Sequence, residues 1–383
     1  MRSVVVLGVG QSPFGKFPEQ SIAQLGGIAA RAAVADAGIK ASQLQVAYSS
    51  RLYADMITGQ TVLKEIGVTR IEMVNVENAC AGGATAVRSL YKDIAAGFCE
   101  VGIALGVESM TTSPVAGKLI PPAKDDLEGQ LGMSMPVMFA LQAKRLMETH
   151  GATERDFAEV SVKAHDFGAV NPMAQYRKRF TVEEVLASRM IVDPITLLQC
   201  CPNTDGAAAV VMCSQEFAAR HSQRKGDVQI RASVLVSGDY AYKKPDLTSM
   251  EIGARAATLA YEQAGIGPED LDLVELHDAF ASEELIHYED LGLCRRGEAV
   301  SLLRSGATSM GGRIPVNPSG GLLSLGHPLS ASGVRNICEI TQQLRGEAGE
   351  RQIPDAKVGL AQMLGGVATG LETGAATIHI MAI

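Results

Sequence analysis

Cys80 sits in the stretch 74–88, VNVENACAGGATAVR, which reads as an apolar strand end, a turn at Glu77 and Asn78, and a helix of small residues. A cysteine in the first turn of a helix meets unpaired backbone N–H groups and the positive end of the helix dipole, which stabilise a thiolate. Thiols so placed ionise below their ordinary value of about 8.5 and become nucleophiles. Ala79, Ala81, Gly82, Gly83 and Ala84 leave room beside the sulfur for another backbone or a thin ligand. Taken alone, the stretch also fits an inert core cysteine, because free cysteine is among the most buried residue types. The second group that matters is His327, which precedes Pro328 at a helix start in NPSGGLLSLGHPLSASG (317–333). His277 ends another apolar strand in HDAF (277–280). Gly365 lies in Met363-Leu364-Gly365-Gly366, read as the terminus of the last internal strand, where a backbone N–H can point inward.

The elements that must bring these residues together are duplicated. Residues 32–50 align with 257–278, setting Ala37-Gly38-Ile39 on Ala264-Gly265-Ile266 and Leu44 on Leu271. CAGGATAVR (80–88) aligns with HPLSASGVR (327–335), matching Ala84 to Ala331, Val87 to Val334 and Arg88 to Arg335. VGIALGV (101–107) then faces VGLAQML (358–364). Three matches in one order indicate a repeated α/β unit, residues 1–226 and 227–383, each half a sheet with helices on its faces. Two halves related by a pseudo-dyad bring corresponding helix N-termini together at the centre, which sets Cys80 beside His327.

Within that frame, residues 3–9 form a buried strand by their β-branched run. Ile22–Ala37 is a helix closed by Gly38, and Leu44–Tyr48 the next strand. Residues 200–214 return to a turn and a buried strand; Leu271–Leu276 is a strand followed by a helix bearing Glu283 and Glu284. Gly8-x-Gly10 invites a dinucleotide site, but the third glycine position holds Pro13 and no helix opens there. The region 113–200, broken by Pro114, Pro121, Pro122 and Pro136, holds three helical patterns and is too long for a connection, so it should fold as a lid or insertion. Its methionines at 133, 135, 138 and 147 suit core filling before an acyl tunnel. Arg177, Lys178 and Arg179 make its densest positive cluster, either a solvated loop or a phosphate clamp with aromatic neighbours.

At 383 residues the chain has room for two domains or one large α/β unit. A net charge of −8 argues against nucleic acid as a partner. Seven cysteines, odd in number and without C-x-x-C, read as reduced thiols in a cytosol-like compartment and show no zinc-site spacing. The apolar start at Val4–Val9 is too short for a signal peptide, and no apolar run is long enough to span a membrane. The ending Met381-Ala382-Ile383 is no peroxisomal address, so a cytoplasmic location is expected.

These motifs resemble the thiolase superfamily, and within it the sterol-carrier-protein-type thiolases. The resembling segments are NACAGG around Cys80, GVESM at 106–110, CCPNTDGAAAVV at 200–211, HDAF and the His327 motif, in family order over nearly the whole chain. The resemblance implies two βαβαβαββ halves in a five-layered αβαβα core, a helical loop domain covering coenzyme A, and a homodimer or dimer of dimers. It implies an acyl-CoA substrate, no covalently bound cofactor, an acyl group carried on Cys80, activation by His327, and an oxyanion held by the backbone of Cys80 and Gly365. Arg177, Lys178, Arg179, Met133 and Ser324 are the expected contacts to the CoA substrate. The chain departs from the family at both usual homes of the second catalytic thiol, which here are Met363 and Ala279, and Ser330 replaces a usual glycine. His277 stands where many thiolases have asparagine and is the remaining candidate for moving a proton at the α-carbon or stabilising the enolate.

The expected activity is therefore acyl transfer between CoA thioesters, as 3-oxoacyl-CoA thiolysis or the reverse condensation. One alternative is a thiolase-fold acyltransferase or retro-aldol lyase working with a small zinc-ribbon/OB-fold subunit. A second is a lipid- or acyl-CoA-binding protein without catalysis, which would have no need of both Cys80 and His327.

Overall fold

The structure is a computed structural model that describes residues 2–118, 120, 126–222, 227–240, 246–369 and 371–383; Pro121, Pro122 and the boundary expected at 226 lie outside them. The first half runs β1 (Val4–Gln11), α1 (Ile22–Asp36), β2 (Val46–Ser50), α2 (Thr58–Leu63), β3 (Glu72–Val76), α3 (Gly82–Ala96) and β4 (Val101–Ser109). The insertion follows as α4 (Leu127–Gln130), α5 (Met135–His150), α6 (Glu154–Ala169), α7 (Val182–Leu186), β5 (Met190–Val192) and β6 (Ile195–Thr196). The chain returns through β7 (Asp205–Ser214) and α8 (Gln215–His221). The second half runs β8 (Val228–Ser237), α9 (Glu251–Ala264), β9 (Leu273–Glu275), α10 (Ala281–Asp290), α11 (Ala299–Arg304), α12 (Leu329–Leu344), β10 (Val358–Thr369) and β11 (Glu372–Ala382).

Strands that must be covered on both faces read as continuous apolar runs, and β1, β4 and β7 are buried almost throughout. The strand order is β3-β2-β4-β7-β1-β8-β11-β10-β9. The two halves' sheets join at one edge, where Val5 and Val6 of β1 pair with Gln229 and Val228 of β8. Outside the first sheet lies α1, and outside the second lies α9; α3 and α12 fill the space between and touch strands of both. That is the five-layered αβαβα arrangement expected. Gly8 and Gly10 serve this layering, since a Cβ on them would sit 2.3 Å from Ala33 O and 2.4 Å from Ala29 O of α1.

The central helices pack closely because small residues face each other across the pseudo-dyad. A Cβ on Gly83 would lie 2.3 Å from the carbonyl oxygen of Ser330, the residue that the internal alignment pairs with Gly83. A Cβ on Gly106 would lie 1.9 Å from the same oxygen. Another matched pair of the repeat has diverged: Arg335 is fully buried against Glu275, whereas Arg88 is half-buried over the Tyr91 ring.

Several details differ from the sequence reading. β2 begins at Val46, because residues 41–43 form a tight turn closed by Leu44. β10 does not stop at Gly366 but continues to Thr369, held by β11 through Gly365 and beyond. Among its described residues the insertion holds four helices and a hairpin where three helical patterns were expected. It rests on the second half: Phe139 stacks on Phe280 with ring centroids 4.5 Å apart, and buried Lys163 pairs with Glu284 at 2.5 Å. Met138 lies in this core, and Met133, Met135 and Met147 pack against it, as core fillers do.

Candidate active site

Cys80 occupies a single tight turn, Ala79–Ala81, immediately before α3 rather than within its first α-helical turn. Ala79 takes a left-handed conformation (φ 47°), which costs a residue with a Cβ of order 1–3 kcal/mol and redirects the chain at the thiol. The Glu77 carboxylate accepts the Ala79 N–H at 2.5 Å and braces the turn. Behind it, a Cβ on Gly365 would lie 2.1 Å from Asn78 O, so only glycine lets β10 pass this close.

His327 and His277 arrive from the second half. The thiol of Cys80 and one ring nitrogen of each histidine all lie within 4.8 Å of one another. His327 Nδ1 is 2.8 Å from Ser332 Oγ, whose own proton goes to Pro328 O at 3.2 Å. The hydroxyl therefore accepts from Nδ1–H, which leaves His327 Nε2 as a bare lone pair. That ring is buried, and burial followed by the charge of His277 pushes its pKa well below the ordinary value. A neutral base next to a thiol is the result.

His277 is in the opposite state. Its Nδ1 is 2.7 Å from Glu283 Oε1, while Glu283 Oε2 accepts the Ala279 N–H at 3.0 Å. Burial opposes a charged ring here, but Glu283, joined by Cys80, outweighs it and lifts His277 to about 10. Against its own burial, Glu283 is drawn down to about 2 by His277 and then His287. His277 is thus an imidazolium at neutral pH, a proton donor rather than a base. Its Nε2, like that of His327, has no hydrogen-bond partner among the described residues.

The loops around the trio explain the remaining motifs. In NTDG, Thr204 Oγ1 accepts the His327 N–H at 3.1 Å, and the buried Asp205 accepts the N–H groups of Phe17 and Thr111. Cys201 N–H donates to Ala279 O at 2.8 Å, tying CCP to HDAF. Asp278 accepts the Leu322 N–H at 2.7 Å, and burial, with Glu284 adding to the effect, pushes its pKa well above the ordinary value. Glu108 of GVESM accepts from Leu52, Tyr53 and the Ser330 hydroxyl, anchoring α12 to β4.

Comparison with known proteins agrees with this geometry. Residues 4–216 match the thiolase N-terminal domain and residues 234–375 the thiolase C-terminal domain-like family. The chain belongs to the thiolase family. This thiolase is 38% identical to an acetyl-CoA acetyltransferase of Methanothermobacter thermautotrophicus, covering 99% of each chain. It is 38% identical to the benzoylsuccinyl-CoA thiolase subunit BbsB of Thauera aromatica over 95% of each, and 36% identical to bovine (Bos taurus) sterol carrier protein 2 over 94% of this chain and 70% of that one. Among solved structures it superimposes on an Ltp2-ChsH2(DUF35) aldolase with a TM-score of 0.85 and 26% identity, covering 98% of this chain and 97% of that one.

Of the residues picked from sequence, the thiolase brings Cys80, His277, His327 and Gly365 together. Arg177, Lys178 and Arg179 stand on an exposed loop of the insertion, where Lys178 lies 3.6 Å from Glu184 and Arg179 3.5 Å from Asp166. Ser324 is fully buried and donates to Tyr176 O at 2.9 Å, so its hydroxyl holds the insertion to the His327 loop and is closed to a ligand. Met363 packs with Ala81 and Ala84 beside Cys80, an apolar wall where a second thiol was sought. Sequence reading gave no role to Ser332 and Glu283, which orient the two rings, or to Gln362, which accepts the His277 backbone N–H. An acidic residue six positions after a strand-end histidine, in the first turn of the next helix, was the one available signal, for Glu283. No described helix is long and apolar enough to cross a membrane.

Proposed function

We propose that this thiolase is an acyl-CoA C-acyltransferase that works through an acyl-Cys80 intermediate. The observation that carries the reading is one thiol flanked by two histidine rings, one held at Nδ1 by the Ser332 hydroxyl and the other by the Glu283 carboxylate. His327 Nε2 takes the thiol proton, and the sulfur attacks the thioester carbonyl. In this reading the backbone N–H groups of Cys80 and Gly365 receive the oxyanion, each worth about 2.7–4 kcal/mol of transition-state stabilisation. Collapse expels CoA thiolate, which takes the proton back from His327. In the second half-reaction, the Nε2–H of His277 stabilises an enolate at the α-carbon and supplies or recovers its proton. Arg177, Lys178, Arg179 and Met133, all on the insertion, remain the proposed contacts to CoA.

The reading extends to a homodimer. Strand β3 is the sheet's open edge, and Met56 and Ile57 nearby are 80% and 62% exposed, a surface that a second copy would cover. A cytoplasmic setting fits the reduced thiols. The likeness to an aldolase assembled with a DUF35 protein, together with the apolar residues at 279 and 363, favours one second reading, carbon–carbon cleavage by the same trio with a small partner subunit. Incubation with acetyl-CoA and mass spectrometry separates the two. Acyl transfer requires an acetyl group on Cys80 and release of one CoA. A protein that stays unmodified, yet cleaves a β-hydroxyacyl-CoA, is a lyase.

A further inference from the structure

The catalytic trio is also a set of metal ligands. Cys80 Sγ and a ring nitrogen from each of His277 and His327 lie mutually within 4.8 Å. Both rings are more than nine-tenths buried, at 4% and 3% exposed, and both Nε2 atoms lack any partner among the described residues. Their Nδ1 atoms are already committed, to the Glu283 carboxylate at 2.7 Å and the Ser332 hydroxyl at 2.8 Å. Metal-binding histidines have this same outer arrangement, one nitrogen fixed by a carboxylate or hydroxyl and the other left for the ion.

We propose that the unacylated enzyme binds one borderline-soft divalent cation, of the Zn²⁺ class, through Cys80 Sγ, His277 Nε2 and His327 Nε2, and that the ion reversibly blocks acylation. One thiolate with two imidazoles selects zinc, cobalt or copper over magnesium or calcium. Bonds of about 2.0–2.1 Å to nitrogen and about 2.3 Å to sulfur require these atoms to close in by roughly 1 Å. Three protein ligands leave a fourth position open, on the side where Cys80 is half-exposed. The ion displaces the thiol proton and the Nε2 proton of His277, and buried Glu283 balances its charge. Acylation and metal binding compete because both consume the same sulfur electrons. No local spacing announces the site, since its ligands lie at positions 80, 277 and 327.

The proposal rests on the geometry of the trio and stands apart from the acyl-transfer reading. Titrating metal-free enzyme with Co²⁺ tests it, because a cysteine ligand gives a near-ultraviolet sulfur-to-cobalt band and a tetrahedral site gives visible absorption. The expected result is both signals saturating at one equivalent, bleached by Zn²⁺, and absent both in Cys80→Ala and in wild-type enzyme alkylated at Cys80. The alkylated protein controls for folding of the variant. One equivalent of Zn²⁺ should slow acylation tenfold or more, with full recovery on adding EDTA. Absence of the sulfur band, or a band that survives in Cys80→Ala, overturns the metal site. If acetyl-Cys80 forms but Co²⁺ does not bind, only the metal proposal falls. If Co²⁺ binds and no adduct ever forms, the acyl-transfer reading falls and the metal site stands.

Discussion

His277 and His327 meet edge to face, with ring centroids 5.3 Å apart and planes inclined at 80°. Each is held at Nδ1 by a different kind of group, an anion for His277 and a hydroxyl for His327. A carboxylate holds a ring charged, whereas a hydroxyl already committed as a donor holds it neutral, so one pair of like residues supplies both an acid and a base. Separating their roles by mutation is therefore feasible. His327→Ala should abolish rapid acetylation of Cys80. His277→Asn should leave acetylation within a few-fold of wild type and slow the carbon–carbon step by roughly 10²–10⁴. Single-turnover CoA release measures the first step, and steady-state thiolysis the second. Unchanged turnover in His277→Asn would reduce that residue to a structural part.

The cysteines should differ sharply in reactivity. Burial pushes Cys99 up to about 11 and Cys213 and Cys338 up to about 12, whereas Cys80 is half-buried beside two histidines. Iodoacetamide at neutral pH should label Cys80 at least tenfold faster than these three, read by peptide mass spectrometry. Prior incubation with acetyl-CoA should protect it.

Glu283→Gln removes the anion that keeps His277 charged. Breaking a buried ion pair from one side costs about 3–5 kcal/mol. The raised pKa of His277 contributes stability that is complete below its ordinary 6.5 and disappears as pH rises through about 10. The lowered pKa of Glu283 contributes stability that is complete above its ordinary 4.5 and is lost as pH falls through about 2. The stability gap between wild type and Glu283→Gln should therefore be widest between pH 4.5 and 6.5 and narrow towards pH 10. Urea unfolding at pH 6 and pH 10 checks it; an equal gap at both would mean that His277 is neutral in the folded protein.

Replacing Arg177, Lys178 and Arg179 together with alanine should raise the KM for acyl-CoA about tenfold with kcat little changed, the mark of binding shared by ground and transition states. Their exposed ion pairs to Glu184 and Asp166 are worth little, so the fold should not suffer. A fall in kcat at unchanged KM would remove the cluster from the CoA site.

The duplicated layout and the Cys80–His327 meeting were legible because a repeat carries its own geometry: matched helix starts must converge on the dyad. What held the rings was not legible. Ser332 and Glu283 lie close in sequence to the histidines they orient, but their roles depend on how a turn folds. Gln362, which accepts the His277 N–H at 2.8 Å, is 85 residues away and reaches it only through the parallel pairing of β10 with β9. Ser324, expected from the resemblance as a contact to the CoA substrate, is buried with its hydroxyl committed to Tyr176 O, which the sequence does not show.

The close crossing of α3 and α12 at Gly83 and Ser330 makes catalysis a gauge of how well the two halves stay docked. The nucleophile belongs to one half and both histidines to the other, so a slip of about 1 Å along this seam parts the thiol from its base while leaving each sheet whole. Under gentle urea or pressure, turnover should fade before circular dichroism changes. A bulkier residue at position 83 should imitate that early loss in plain buffer, by wedging the seam open without unfolding either half.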